Sequence, residues 1–185
     1  MNLTIHTPET APDASRPILE SIAAAVGFVP NLAASTAESP ILLQAFDGLR
    51  RAVAELPPPE REVAGLAVGV TVDNAYGVAF HSTVLTQLGL SADDLAAMRA
   101  GRPPADARLA AVHDLAGAVA TGRGKVDDEV IAAARAAGLD TSDILGIVAE
   151  CTFASLVGIV DNLAGRVELD PPLAPQAWEA PAVAG

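Results

Sequence analysis

Two apolar runs joined by a short polar break constrain the fold of this chain more than any other feature. The first covers residues 62–72 and the second residues 75–88, with Asp73 and Asn74 between them. The second run has helical character, and either polar residue could cap its start. The first run begins at a lone carboxylate, Glu62; the valines and glycines of its part from 66 to 72 also suit a buried strand. The segment therefore predicts two packed elements, helices or a strand and a helix.

The two runs carry a carboxylate and an imidazole that a helical hairpin would bring together. On a helix Asn74, Gly77 and His81 are spaced i, i+3, i+7 and share one stripe. If both runs are helical, Glu62 and His81 meet in a dry pocket, where acid/base chemistry gains from shifted pKa values. The alternative for Glu62 is a first-turn glutamate that favours the helix N-terminus. The alternative for His81 is a buried histidine without a chemical role.

The rest of the chain reads as a series of helices, because two-residue alternation persists nowhere. Prolines, capping residues and glycines divide it into predicted helices at 16–26, 39–56, 91–101, 103–121, 127–137 and 141–165. Short connections predict an all-α bundle forming a single domain. We expect a flexible N-terminal arm at 1–14, the helical domain at 15–170 and a Pro/Ala-rich tail at 171–185. That tail either is disordered or covers a neighbouring subunit.

Composition excludes several functional classes. A net charge of −12 argues against nucleic acid and anionic membrane surfaces as partners. The most apolar window, residues 144–160, is interrupted by Glu150, which indicates a core helix and not a membrane span. The N-terminus lacks the pattern of a signal peptide, and the only cysteine, Cys151, has no partner for an internal disulfide. We therefore expect a cytoplasmic protein.

The segment from 62 to 81 resembles the signature of the alkylhydroperoxidase D-like (carboxymuconolactone decarboxylase) family. In that signature a glutamate is followed by Cys-x-x-Cys and, after three more residues, by a histidine. Glu62 and His81 fall on the glutamate and histidine positions, and Tyr76 matches an aromatic residue that often precedes the second cysteine. Asn74 and Gly77 occupy the two cysteine positions, so both thiols are missing. Gly27-Phe-Val-Pro-Asn31, followed by residues 38–43, resembles the N-terminal helical region of the longer, peroxidase-related members, and residues 89–95 after the histidine are also typical of the family.

The resemblance implies an alkylhydroperoxidase D-like helical bundle, with helix and not strand at 66–72. It also implies a homo-oligomer, a trimer or a hexamer. The family's redox activity is not implied, because a dithiol cycle needs one thiolate to attack and a second to resolve. Cys151 lies away from both cysteine positions, among apolar neighbours where thiols are usually inert.

We therefore expect a cofactor-free acid/base enzyme, of the decarboxylase, lyase or isomerase type, acting on a small organic acid or lactone. Glu62 and His81 are the predicted catalytic residues. Asn74, Tyr76 and Gly77 are the predicted substrate-binding residues, although Asn74 could instead cap a helix and Tyr76 could instead pack at a subunit interface. The histidines are scattered and predict no metal site. Two alternatives remain: a peroxidase-like antioxidant activity through Cys151, and a catalytically inactive binding or scaffold protein.

Overall fold

The computed structural model describes residues 1–180, which form nine α-helices and no strand. The helices are α1 (Arg16–Val26), α2 (Asn31–Thr36), α3 (Pro40–Val53), α4 (Pro58–Thr71), α5 (Ala75–Gln87), α6 (Ala92–Arg99), α7 (Ala107–Gly122), α8 (Asp128–Ala136) and α9 (Thr141–Ala164). A short 3₁₀ helix, Ala174–Gln176, follows. The predicted all-α, single-domain fold is confirmed, and residues 66–72 are helical apart from the turn that follows α4.

Side-chain caps account for where most of these helices begin. The side chains of Ser39, Asn74, Ser91, Asp106 and Asp140 each accept a backbone N–H from the first turn of the helix that follows. The sequence predicted that α7 begins at the prolines 103–104, but the helix begins at Ala107, because Asp106 supplies the cap. Helix α2 was not predicted at all.

Helix α4 is the centre of the bundle. It packs against α5, α7 and α9, and its residues 62–69 are all buried. Small side chains allow this close approach: a Cβ atom added at Gly69 would lie 3.2 Å from the Val78 side chain and 3.4 Å from the backbone nitrogen of the same residue. Glycine at this position therefore lets α4 and α5 pack almost backbone to backbone.

Helix α9 lies against α3, α4, α5 and α7. By length and composition it could cross a membrane, and 39% of its most apolar 18-residue window is buried inside the protein. Its outer face exposes a stripe of large apolar side chains, Leu145, Val148, Ile159 and Leu163. The helix thus has an inner face that completes the core and an outer face that no residue from 1 to 180 covers.

The two chain ends pack onto the bundle. In the N-terminal arm Ala11 is buried, and the His6 ring lies 2.6 Å from a Glu38 carboxylate oxygen. In the described part of the tail, Trp178 donates its indole N–H to the Arg99 carbonyl oxygen at 3.1 Å. Up to residue 180 the tail therefore lies over its own chain; the rest of the predicted tail, residues 181–185, falls outside the described residues.

Candidate active site

Glu62 and His81 form a buried pair between α4 and α5. The Nδ1 atom of His81 lies 2.7 Å from Oε2 of Glu62. The Glu62 side chain is 2% exposed and that of His81 11% exposed. The meeting of these two side chains, which the sequence predicted for a helical hairpin, is confirmed; their catalytic role stays a prediction.

Ionised partners hold this pair in its charged form. Burial raises the pKa of the Glu62 carboxyl, but hydrogen bonds from His81 and from Arg61, at 2.8 Å, outweigh it and lower the pKa below the usual value. Burial likewise lowers the pKa of His81, and the bond to Glu62 overcomes that effect and raises the pKa. Both pKa shifts favour the ion pair, an imidazolium beside a carboxylate.

The pair opens onto a cavity of about 230 Å³. Its wall is mostly apolar, and the apolar side chains come from α1, α2, α3, α5 and α9, including Ile22, Leu32, Phe46, Val53, Phe80 and Phe153. Its polar lining includes Arg61, Glu62, His81 and Glu150. Nδ1 of the histidine is engaged by Glu62, so Nε2 is the ring nitrogen left for a ligand. Such a mostly apolar pocket with a few convergent polar groups is typical of small-molecule sites.

Gly65 makes room for this arrangement. A Cβ atom built there would lie 2.2 Å from Cε1 and 2.4 Å from Nε2 of His81. It would also lie 2.8 Å from Oε1 of Glu150. The imidazole and the Glu150 carboxyl thus both lie over the α4 backbone at Gly65, in space that a side chain at this position would need.

Asn74 and Gly77 act as one unit at the start of α5. The Asn74 side chain accepts the Gly77 N–H at 2.9 Å, so of the two roles left open by the sequence the structure shows the cap. A Cβ atom at Gly77 would lie 2.3 Å from the Asn74 amide nitrogen. Gly77 lines the cavity, whereas Asn74 does not. A substrate contact of Gly77 stays a prediction.

Tyr76 also lines the cavity, but its hydroxyl is already engaged. It donates to the buried carboxylate of Asp170, which accepts the Asn31 N–H at the start of α2 as well. Burial first, and the contact with Asp170 second, raise the pKa of the Tyr76 phenol. This network ties the segment after α9 to α2 and α5. It favours a packing role for Tyr76 within this chain over a substrate contact, and the packing at a subunit interface that the sequence left open stays a prediction.

Glu150 is the residue of the site that the sequence did not assign. It lies in the middle of α9, is 1% exposed, and neither of its carboxyl oxygens has a hydrogen-bond partner among the described residues. Glu150 stands out in the sequence because it interrupts the most apolar stretch of the chain. The residues that surround it in the folded protein could not be predicted from the sequence. Within residues 1–180 no group of three or more histidine, cysteine or acidic side chains is placed to hold a metal ion.

Cys151 faces away from this chemistry. The thiol is buried, and it is not part of the cavity wall. Burial, followed by the neighbouring Glu150, raises the pKa of the Cys151 thiol to about 12. A thiol in this environment is almost entirely protonated at neutral pH and is a poor nucleophile.

Residues 40–116 match the sequence model of the carboxymuconolactone decarboxylase family. This segment belongs to the carboxymuconolactone decarboxylase family. It contains Glu62 and His81, so the buried pair lies in the family segment, whereas Glu150 lies outside it. No curated protein sequence matches the chain significantly.

Solved structures share the fold beyond the family segment. A peroxidase-related protein from Ralstonia eutropha JMP134, described as an alkylhydroperoxidase AhpD core, matches with a TM-score of 0.77 at 24% identity over 92% of both chains. A peroxidase-related protein from Silicibacter sp. TM1040 matches with a TM-score of 0.74 at 20% identity, over 95% of this chain and 94% of that one. A variant of the debrominase Bmp8, in complex with 2,3,4-tribromopyrrole, matches with a TM-score of 0.76 at 15% identity over 95% of both chains. These likenesses establish an alkylhydroperoxidase D-like fold.

Proposed function

We propose that this carboxymuconolactone decarboxylase-family protein is a cofactor-free acid/base enzyme that acts on a small organic acid or lactone. The observation that carries the proposal is the 2.7 Å contact between Glu62 and His81 at the wall of a 230 Å³ cavity. A histidine held by a buried carboxylate is a common arrangement for moving protons at a substrate atom. The volume lies below the 300–1,000 Å³ or so typical of pockets for drug-sized ligands, so the substrate is small.

The charge state of the pair favours proton donation as the first role of His81. In a decarboxylation the electrons of the breaking C–C bond move into the substrate as CO₂ leaves. The imidazolium then gives its Nε2 proton to the carbon that has gained them, and the neutral ring regains a proton from water. Glu62 stabilises the imidazolium and fixes the ring through Nδ1. In an isomerisation the same ring would remove a proton at one carbon and return it at another.

Two features support an enzyme over an inactive scaffold. A scaffold that kept only the family fold would be expected to fill the pocket with side chains or to separate the two ionisable groups. Here the cavity is open and the groups are in contact. A buried ion pair at a cavity wall costs desolvation energy. Such pairs are common at functional sites, so its presence here favours a chemical role.

A peroxidase-like activity has less support. It would have to start from the thiolate of Cys151, and burial raises the pKa of that thiol to about 12. The thiol also lies outside the cavity wall. A hydroperoxide assay on the wild type and on Cys151→Ala separates the two functions: peroxide turnover that disappears in the variant would replace our proposal.

The proposal is tested by incubating the protein with a panel of small β-keto acids, unsaturated carboxylic acids and carboxylated lactones in D₂O. Proton NMR measures the loss of substrate and the deuterium incorporated at carbon. It also detects the decarboxylated product, which shows that CO₂ has been released. We expect turnover of at least one member by the wild type. His81→Ala should lower it by about 100-fold or more while circular dichroism shows an unchanged helical fold.

His113→Ala is the matched control, because His113 is also buried on a helix but does not line the cavity. It should leave turnover unchanged. Equal turnover by the wild type and His81→Ala would overturn the proposal, as would the absence of turnover across the whole panel.

We further propose that copies of the chain associate, as a trimer or a hexamer, through the exposed apolar stripe of α9. Leu145 and Ile159 lie on that stripe and are 62% and 64% exposed. Analytical ultracentrifugation of the wild type and of a Leu145→Glu, Ile159→Glu double variant tests this. A monomeric wild type would contradict it.

A further inference from the structure

Glu150 presents two unsatisfied oxygens beside a cavity. It lies at 1% exposure on α9, and neither oxygen has a hydrogen-bond partner among the described residues. A buried carboxylate without donors is costly, and native proteins rarely leave such a group unexplained. The Glu150 carboxyl lines the same cavity as the Glu62–His81 pair, so a ligand bound in the cavity could form the missing hydrogen bond.

The placement of Glu150 relative to His81 is close and specific. A Cβ atom built at Gly65 would lie 2.4 Å from Nε2 of His81 and 2.8 Å from Oε1 of Glu150, so these two polar atoms are close to each other over the α4 backbone. An oxygen atom of a ligand seated beside these two atoms would have a ring N–H and a carboxyl group within reach. The two groups therefore form the polar end of an otherwise mostly apolar cavity.

The charges that face Glu150 are Arg61 and Glu62 from α4 and His81 from α5; Arg50 of α3 lines the same cavity. With Glu150 neutral and His81 protonated, the charges of Arg61, Glu62 and His81 sum to one positive charge, which favours an anion. With Glu150 ionised, the sum falls to zero and the ligand meets a carboxylate. A neutral carboxylic acid can donate a hydrogen bond, whereas a carboxylate can only accept one.

We propose that this cavity binds a small, largely apolar anion, and that Glu150 holds a proton and donates it in a hydrogen bond to the bound anion. The inference rests on the function proposed above, for which it names the substrate class and one further binding residue. Burial, with a smaller contribution from ionised Glu62, raises the pKa of Glu150 to about 7, which fits a group that is neutral when the anion is bound. Binding above that pH would then take up one proton.

Isothermal titration calorimetry with benzoate as the probe tests the inference without requiring turnover. Titrations at pH 8 in two buffers of different ionisation enthalpy give the number of protons taken up. We expect close to one proton per benzoate at pH 8 and close to none at pH 5.5, where Glu150 is already protonated. Between pH 7.5 and 9 the benzoate Kd should rise by about tenfold per pH unit.

Glu150→Gln is the informative variant, since the amide keeps a hydrogen-bond donor and the shape of the side chain. It should bind benzoate with no proton uptake and with a Kd that does not change from pH 7.5 to 9. Benzamide, the neutral analogue of the probe, should bind the wild type at least tenfold more weakly than benzoate at pH 6.

Three outcomes would overturn the inference: no benzoate binding at pH 6, equal binding of benzamide and benzoate, or undiminished proton uptake in Glu150→Gln. Its failure is distinguishable from that of the proposed function. If turnover depends on His81 but benzoate binding takes up no proton at Glu150, only the inference is contradicted. Proton-coupled binding without any turnover would contradict only the enzymatic proposal.

Discussion

The imidazole of His81 lies so close over Gly65 that a methyl group there would stand 2.2 Å from ring carbon Cε1. The position of the acid/base group thus depends on the absence of a side chain on the neighbouring helix. We predict that Gly65→Ala displaces the ring and lowers turnover in the D₂O assay by about 100-fold, the cost typical of a misplacement near 1 Å.

This variant should also lose stability, because the displaced ring weakens the buried pair with Glu62, and the gain of about 0.5–1 kcal/mol of alanine over glycine inside a helix offsets only part of that cost. Gly48→Ala on α3 is the matched control, since a Cβ atom there would contact nothing within 4 Å. It should keep full turnover and gain stability in urea unfolding. Full turnover by Gly65→Ala would show that the ring position does not matter.

Glu150 should make the protein less stable as the pH rises. Its pKa in the folded protein is about 7, against an ordinary value of 4.5, so its stability contribution is fully present below pH 4.5 and is lost as the pH rises through 7. The loss amounts to about 3 kcal/mol if the whole shift is realised. Glu150→Gln should therefore be more stable than the wild type at pH 8 and similar at pH 4.5, by urea unfolding.

Glu20→Gln serves as the control for this comparison, because Glu20 is an exposed glutamate on α1. It should track the wild type at both pH values. A Glu150→Gln variant that is no more stable than the wild type at pH 8 would mean that Glu150 is not destabilised by ionisation.

The capping residues and the helical spacing in the sequence were sufficient to predict the hairpin of α4 and α5 at the centre of the fold. Asp73 and Asn74 marked the break between α4 and α5, and the spacing of Glu62 and His81 predicted their meeting. These features depend on helix periodicity and capping, which act over a few residues. The resemblance to the family decided between helix and strand at 66–72.

Features that depend on distant residues could not be predicted. Helix α2 is only six residues long, and its first N–H, that of Asn31, is satisfied by Asp170, far along the chain. Glu150 was visible as an interruption of an apolar helix, but its place beside His81 follows from the packing of α9 on α4. Long-range contacts of this kind leave no periodic trace in one sequence.

The cap at the start of α5 should couple Asn74 and Gly77 energetically. Gly77→Ala places a methyl group 2.3 Å from the Asn74 amide nitrogen and must displace the cap, at a cost of about 1 kcal/mol. In the Asn74→Ala background the cap is already lost, so the same change should cost nothing or stabilise. Urea unfolding of the two single variants and the double variant measures the coupling, and strictly additive effects would contradict the model of a shared cap.

Tyr76 should matter for stability and not for chemistry. Tyr76→Phe leaves the buried Asp170 carboxylate with one donor fewer, which we expect to cost about 1–3 kcal/mol. Turnover should change by less than about threefold, because the hydroxyl already points at Asp170. Loss of turnover at unchanged stability would instead favour the substrate-binding role.

The protonation state of His81 is the most direct test of the buried pair. Long-range ¹H–¹⁵N NMR resolves the imidazole nitrogens of all three histidines, and His81→Ala assigns the signals of His81. The wild-type ring should titrate above its ordinary pKa of 6.5 and show Nδ1–H bonded to a carboxylate. Its pKa should fall in Glu62→Gln, where burial is no longer opposed by a neighbouring anion. A His81 pKa below 6.5, or one that is the same in Glu62→Gln, would contradict the account.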